Sequence, residues 1–131
     1  MKEVIIIENE NSRELALKAR VFLQSIKPYL KTGECVFASS FKNRETDLRF
    51  NLKHDKKVEI LSELTEGNCF KIDRNDNPRY SDSEVYFFLK EALLFEYGEE
   101  KTVTLYIKMY LAEKGSDPVI VISFHEEGMI D

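Results

Sequence analysis

The sequence predicts an α+β fold in which helices pack on one side of a small, mostly antiparallel sheet. Apolar residues at helical spacing dominate the first half of the chain, and strand-like runs dominate the second half. The two clearest strands, 103–110 and 119–125, alternate in character along most of their length, which is typical of half-buried strands. Helices followed by strands, without regular alternation of the two, indicate α+β.

The N-terminal third predicts a strand, a long helix and a link. Residues 3–7 are mostly apolar and predict a short strand. A polar residue at position 11 or 12 can cap a helix that continues to about Leu30. Pro28 should kink or end this helix near Ile26, because proline lacks the backbone donor that a helix interior needs. A short apolar link follows at 35–38.

Two shorter helices are predicted next. Ser39 or Ser40 could start a brief helix toward Phe50, since serine is a preferred helix cap. Asn51 is a plausible cap for a second helix through Leu64, whose apolar residues recur at helical spacing.

Residues 69–94 predict a strand, a turn and a segment whose pattern fits either a helix or a strand. Residues 69–73 predict a strand, and 75–78 predict a turn that is rich in asparagine and proline. Ser81 begins a capping-box pattern, which favours a helix from 82 to about 94. A strand over 84–89 is the alternative, because its Val-Tyr-Phe-Phe sequence favours a sheet.

The C-terminal pair of strands carries the most informative side chains. In the first strand, one face presents Thr104, Tyr106, Lys108 and Tyr110. In the second, strict alternation places His125 on the same face as Val121 and Ser123. A hairpin with a loop at 112–118 could bring phenols, an ammonium and an imidazole together. Those groups suit phosphate or RNA chemistry, and they equally suit an ordinary half-exposed sheet.

Size and charge narrow the classes of function. A chain of 131 residues with 43% hydrophobic residues predicts a single domain, 1–131, with a packed core. The net charge is −5, and residues 75–131 hold five basic against twelve acidic side chains. This balance opposes non-specific nucleic-acid binding, which depends on neutralised phosphates. One basic cluster, which begins with Lys42 and Arg44, can still form a local groove.

Compartment and cofactors are predicted from what the sequence lacks. No apolar run reaches the ~18 residues of a membrane span, and the N-terminal segment does not resemble a secretory signal. Cys35 and Cys69 have neither metal-site nor redox-motif spacing. We therefore expect a reduced, cytoplasmic protein without a metal, a cofactor or a membrane partner.

Several motifs in order resemble the MqsR-type toxins of bacterial toxin–antitoxin pairs, within the RelE-like group. The resemblance runs from about Phe22 to Glu126 and rests on a series of short matches: a helix ending at Gly33, Asp47-Leu-Arg-Phe50, Ile60 to Leu64, Phe70-Lys71, Leu105 to Lys108, and Val119 to His125. It implies a RelE/MqsR-like fold, cleavage of mRNA without a metal, and neutralisation by an antitoxin protein from an adjacent gene.

The resemblance also implies three catalytic positions. The family's strand lysine falls on Lys71, its Tyr-x-Lys tyrosine on Tyr106, and its last basic residue on His125, where the family usually has lysine. RNA cleavage of this kind needs a base for the ribose 2′-hydroxyl, a cation for the phosphorane and an acid for the leaving oxygen. His125 is the candidate acid or base, because an unperturbed imidazole titrates near neutrality. Lys71 could stabilise the phosphate, and Tyr106 could position it or donate a proton.

Other side chains are candidates for RNA binding. Lys108 could hold a neighbouring phosphate, and Tyr110 could stack on a base for about 1–3 kcal/mol. From the basic cluster we add Lys42 and Arg44. Each candidate is also explained by a merely structural role: strand decoration, cover for the sheet, or a solvated helix face.

Two alternatives to a nuclease remain open at this stage. One is a non-catalytic interaction protein of the immunity or inhibitor type, which would present its C-terminal carboxylates to a basic partner. The other is a degenerate toxin-like fold that binds an antitoxin but does not cut RNA.

Overall fold

Five strands form one mixed sheet in a computed structural model of the chain. The model describes residues 2–80, 82–112 and 118–129, with side chains from residue 12 onward. The strands are β1 (Cys35–Phe37), β2 (Cys69–Arg74), β3 (Glu84–Glu96), β4 (Glu99–Leu111) and β5 (Val119–Glu126). Their order across the sheet is β1-β5-β4-β3-β2, in which β1 pairs with β5 in parallel and the other neighbours are antiparallel.

Of the three α-helices described, the first and third cover one face of this sheet, and the second lies along the edge of β5. The helices are α1 (Lys2–Thr32), α2 (Phe41–Phe50) and α3 (His54–Ser62), and short 3₁₀ turns lie at Glu66–Asn68 and Pro78–Tyr80. The helices share one core with the sheet, and in that core Phe22 of α1 stacks on Tyr86 with ring centroids 4.0 Å apart. The α+β class predicted from the sequence is confirmed.

The opposite face of the sheet, which we call the open face, has no helix packed on it among the described residues. A smaller apolar cluster lies there, formed by Val85, Phe87, Tyr110 and Ala112. Around that cluster the same face carries several candidate side chains: Lys71, Tyr106, Lys108 and His125.

The N-terminal strand predicted over 3–7 is wrong, because that segment is the first part of α1. Apolar β-branched residues favour a strand only where a sheet offers them a partner, whereas a helix satisfies its own backbone. The helix also passes Pro28 and continues to Thr32. Ile26 and Leu30, on either side of the proline, are both buried, and their packing offsets the lost backbone bond.

The link at 35–38 and the cap at Asn51 were also assigned incorrectly. Residues 35–37 are strand β1, and Asn51 ends α2 in the left-handed conformation (φ 50°) instead of starting α3. Asparagine tolerates this conformation better than most residues. The brief helix capped by Ser40 is confirmed, since the Ser40 hydroxyl accepts a bond from the backbone of Asn43.

The helix predicted from 82 to 94 is a strand, β3. Tyr86 and Phe88 point into the core under the helices, while Val85 and Phe87 point into the cluster on the open face. A strand covered on both faces shows a continuous apolar run without alternation, so periodicity cannot distinguish it from a helix. Ser81 and the loop residues 113–117 lie outside the described part of the chain.

An extra residue in β5 reverses the side-chain alternation predicted there. Lys108 pairs with Ser123, but its neighbour Met109 pairs with Val121, so Ile122 is an unpaired bulge residue. Beyond the bulge, His125 lies on the open face opposite Tyr106, while Val121 is in the helix-side core. Strict alternation had placed His125 and Val121 on the same face.

A buried asparagine of α2 holds this bulge in place. Asn43 is 3% exposed, and its amide nitrogen donates to the carbonyls of Ala38 (2.8 Å) and Ile122 (3.0 Å). Its amide oxygen accepts from the backbone N–H of Phe124 (2.9 Å). One turn later, the Thr46 hydroxyl accepts from the backbone N–H of Glu126 (3.1 Å). Helix α2 therefore supplies the hydrogen bonds that an irregular strand lacks.

A second polar link joins α2 to the far end of the β3–β4 hairpin. Arg49 binds the carboxylates of both Glu96 and Glu126, and Lys101 also binds Glu96. Hydrogen bonds from Arg49 and Lys101 hold the pKa of Glu96 at about 2, well below its usual range. This network ties the helix, the hairpin and the end of β5 together.

Replacing Asn43 with alanine should destabilise the fold by about 2–3 kcal/mol, because it leaves buried backbone groups without partners. Urea unfolding of N43A should show a lower midpoint than wild type. On the same helix, R44A changes an exposed side chain and should stay within about 0.5 kcal/mol. An N43A protein as stable as R44A would contradict the role given to this amide.

The Glu96 network should make stability depend on acid pH. Because the folded pKa of Glu96 is about 2 and its ordinary value is 4.5, the ionised carboxylate contributes its full stability above pH 4.5. That contribution is lost as the pH falls from 4.5 toward 2. In denaturant titrations over this range, E96Q should lose less stability than wild type. E91Q, at an exposed position of the same strand, should keep the wild-type slope.

Candidate functional site

Tyr106 and His125 form the centre of the candidate site. They lie opposite each other on β4 and β5, and their rings stack with centroids 5.3 Å apart and planes 25° apart. His125 is only 8% exposed, whereas Tyr106 is half-buried. The β5 bulge and the cross-strand register together fix this pair on the open face.

A backbone hydrogen bond sets the orientation of the imidazole. Nδ1 of His125 lies 2.9 Å from the carbonyl oxygen of Glu126. A carbonyl can only accept, so we assign the proton to Nδ1. In the neutral ring, Nε2 then carries the lone pair and is the nitrogen available as a base.

Tyr106 and His125 line a cavity of about 720 Å³ between the sheet and the start of α2. Lys108 of β4 and Lys42 of α2 line this cavity together with Tyr106 and His125. Ser40 and Phe41, at the N-terminus of α2, complete the wall on that side. Two cations, two serine hydroxyls, a phenol, an imidazole and the carboxylate of Glu127 thus line a space large enough for a nucleotide.

Lys71 is on the open face but stands apart from this cavity. Its ammonium lies 4.9 Å from the centre of the Phe87 ring, and that of Lys108 lies 5.1 Å from the same ring. Lys71 also lies 3.5 Å from the carboxylate of Asp73. Lys71 is in register with Ser123, three strand spacings away and two residues before His125, so the backbones of Lys71 and His125 are about 16 Å apart.

Lys108 connects the two regions. A neighbouring cavity of about 500 Å³ is lined by Lys71 and by Lys108, which also lines the larger one. The structure therefore brings Lys71, Tyr106 and His125 to one face of the sheet. It makes Lys108, rather than Lys71, the strand lysine next to the imidazole.

Phe70 is a surface residue that the sequence did not single out. It is 47% exposed, and its ring lies 6.1 Å from that of Phe87 and 6.2 Å from that of Tyr106. Alternation along β2 would place Phe70 and Lys71 on opposite faces. An irregularity between Cys69 and Lys71 brings both to the open face, and no sequence signal marks it.

The remaining candidates lie outside the cavity. Tyr110 is 4% exposed and packs against Tyr80, and burial raises the pKa of its hydroxyl. Its ring therefore offers no open face for stacking on a base. Arg44 is exposed on α2 but does not line the cavity, because two residues along a helix turn a side chain to another face.

The described part of the chain has no cluster of metal-ligating side chains and no membrane-spanning helix. No three side chains of His, Cys, Asp or Glu there are placed to hold a metal ion. Cys35 and Cys69 are both buried, and desolvation raises the pKa of each thiol. No described helix has both the length and the apolar character that crossing a membrane requires.

The two histidines should show opposite neutral tautomers. His125 donates from Nδ1, whereas Nε2 of His54 lies 3.1 Å from the carbonyl oxygen of Cys35 and must donate there. Long-range ¹H–¹⁵N correlation spectra at a pH where both rings are neutral should show one ring of each type. H125Q removes one set of signals and assigns them. Two Nε2-protonated rings would contradict the geometry at His125.

Comparison with known proteins adds no identification. No family model matches the sequence, and no curated protein or solved structure is significantly similar to it.

Proposed function

We propose that this chain is an mRNA interferase of the MqsR type, which cleaves single-stranded RNA by attack of a ribose 2′-hydroxyl and needs no metal. The observation that carries the proposal is the stacked Tyr106–His125 pair in a cavity that also contains Lys108 and Lys42. These groups provide a base, a proton donor and cations within one space, which is the set that this reaction requires.

His125 is the general base of the proposed reaction. Its Nδ1 is fixed by the Glu126 carbonyl, so Nε2 is left to remove the proton of a 2′-hydroxyl. The freed oxygen attacks the adjacent phosphorus, and the bond from phosphorus to the 5′-oxygen breaks. The products are a 2′,3′-cyclic phosphate and a 5′-hydroxyl end. Histidine at this position, where the family usually has lysine, suits a base that works near neutral pH.

Lys108 and Lys42 supply the positive charge for this step. Both line the cavity that contains His125, so they can neutralise the phosphorane as negative charge builds on its oxygens. Lys71 is too far from His125 for the same phosphate. It is better placed to hold the next phosphate along the strand, over the Phe87 ring that it shares with Lys108.

Tyr106 is the candidate proton donor to the leaving 5′-oxygen. Its ring stacks on His125 in the same cavity, and its hydroxyl has to reach the leaving oxygen on the side of the phosphorus opposite the attacking 2′-oxygen. Phe70, half exposed beside Tyr106, offers a ring for an unpaired base. Stacking on exposed aromatic rings favours single strands, whose bases are not already stacked in a duplex.

The biological context follows from the same resemblance and belongs to the proposal. A toxin of this type acts on mRNA in the cytoplasm and is held inactive by an antitoxin protein. Expression of the chain alone should then arrest bacterial growth, and co-expression of the adjacent reading frame should restore it.

The inhibitor alternative rests on the acidic side chains that remain exposed. Glu96 and Glu126 are bound to Arg49, and Lys101 also binds Glu96, so these two carboxylates are already partnered. Exposed carboxylates elsewhere in the C-terminal half belong to Asp76, Asp82, Glu91, Glu99, Glu100 and Glu127. A degenerate toxin-like domain would keep the open face but fail to cut RNA, and the next experiment separates it from an enzyme.

Purified protein should cut unstructured RNA in the presence of EDTA. H125A should lower the cleavage rate by about 10²–10⁴-fold, the usual contribution of a positioned acid or base. K108A should cost about 10²-fold through lost phosphate stabilisation, and K71A should cost less because Lys71 is remote from the reacting phosphate. K56A, at an exposed site on α3, is the matched lysine control and should cut at the wild-type rate.

Two results would exclude the proposal or its residues. Loss of cutting with EDTA would exclude a metal-independent reaction. Unchanged cutting by a K71A/H125A double variant would exclude these side chains. A folded protein that cuts no RNA but still binds the neighbouring gene product would be the degenerate form.

A further inference from the structure

The edge of the sheet at β3 is only partly covered. Strand β2 pairs with β3 from Glu84 to Phe88, but β3 continues to Glu96. Beyond Phe88, the Asn68 amide binds the carbonyl of Leu89. From Lys90 to Glu96, β3 is hydrogen bonded to β4 on one side, and no described residue pairs with its backbone on the other.

The direction of the free backbone groups follows from that Asn68 bond. The Leu89 carbonyl points away from β4, toward the β2 side. Backbone direction alternates along an antiparallel strand, so Glu91, Leu93 and Phe95 also direct both their N–H and C=O groups outward. The backbone N–H and C=O groups of Glu91, Leu93 and Phe95 are therefore unpaired by any described residue along this edge.

The middle of this edge exposes two large apolar side chains, which the charged residues Lys90, Glu91 and Glu96 flank. Leu93 is 59% exposed and Phe95 is 58% exposed. Free edges are normally protected by charges, by proline or by irregular geometry, because they otherwise pair with another strand. A groove of about 620 Å³ touches the consecutive residues Leu93, Leu94 and Phe95 as well as Leu52 and Lys56. A cavity that contacts three consecutive strand residues lies along the edge of the strand.

We infer that this edge binds the same edge of a second copy, with the two β3 strands antiparallel and centred on Leu93. In that register Leu93 faces its own counterpart, and Glu91 faces Phe95 of the other copy. All these positions direct their backbone groups outward, so each pair exchanges both hydrogen bonds. The inference is independent of the proposed nuclease activity.

Side-chain contact and length favour a second copy over a different strand. The same register brings the exposed Leu93 of one copy against that of the other, whereas Glu96, opposite Lys90, is already bound by Arg49 and Lys101 of its own chain. The paired stretch ends at Leu89, where Asn68 already occupies the edge. The segment from Lys90 to Glu96 is thus complementary to itself in backbone direction and in length.

Pairing of this kind would join the two sheets edge to edge. The two-fold axis would stand perpendicular to the sheet, so both open faces would lie on the same side of the assembly. The exposed Leu93 side chains would be covered by each other, which removes the apolar edge that a monomer leaves in water.

Light scattering during size-exclusion chromatography tests the inference on the full chain. Wild type should become a dimer as concentration rises. L93K, which places like charges opposite each other across the axis, should remain a monomer at the same concentrations. L17K changes an equally exposed leucine on α1 (55% exposed) and should still form the dimer. Circular dichroism checks that both variants are folded.

A cysteine at the axis tests the register. Opposed Leu93 Cα atoms would be about 5.5 Å apart, within the range that a disulfide spans. Oxidised L93C should therefore give a cross-linked dimer on a non-reducing gel, whereas L17C should not. A wild-type protein that is monomeric at all concentrations would overturn the inference. So would a dimer that L93K leaves intact and L93C does not cross-link.

Discussion

The hydrogen bonds of Asn43 are the constraint on which the candidate site depends. One buried amide binds the carbonyl of the bulge residue Ile122, the backbone N–H of Phe124 and the carbonyl of Ala38. The bulge changes which face of the sheet His125 occupies, and therefore decides whether an imidazole meets Tyr106 at all. A bulge costs ladder hydrogen bonds, so it persists only where another group replaces them. Here a helix residue more than seventy positions away in the chain does so.

One face of the sheet forms the main core, and the other carries the candidate functional side chains. The helix-side face contains the large core, and it holds the strands in register by burying alternate side chains of β3, β4 and β5. The open face carries aromatic rings with ammonium groups between them, as where Lys71 and Lys108 share the ring of Phe87. A rigid sheet keeps such groups at fixed spacing, which a binding or catalytic surface needs.

The protein has a net charge of −5, yet positive side chains outnumber negative ones in the wall of the candidate cavity. Glu96 and Glu126 are occupied by Arg49 at the far end of the hairpin, away from the candidate cavity. The wall of that cavity contains Lys42 and Lys108, which outnumber its one carboxylate, Glu127. Screening limits the reach of exposed charges to about 10 Å, so nearby lysines affect a bound phosphate more than distant carboxylates do. Overall acidity is therefore a poor guide to what this surface can bind.

The sequence by itself determined the α+β class, the strands at 69–73, 103–110 and 119–125, and the capped helix that starts after Ser40, because these depend on local periodicity and capping. It also predicted a hairpin able to bring Tyr106, Lys108 and His125 together. Only the tertiary structure decided that 84–96 is a strand, since a segment buried on both faces has no alternation to show. Tertiary structure also placed Phe70 and His125 on the open face, because each follows an irregularity that long-range contacts create and local sequence does not record.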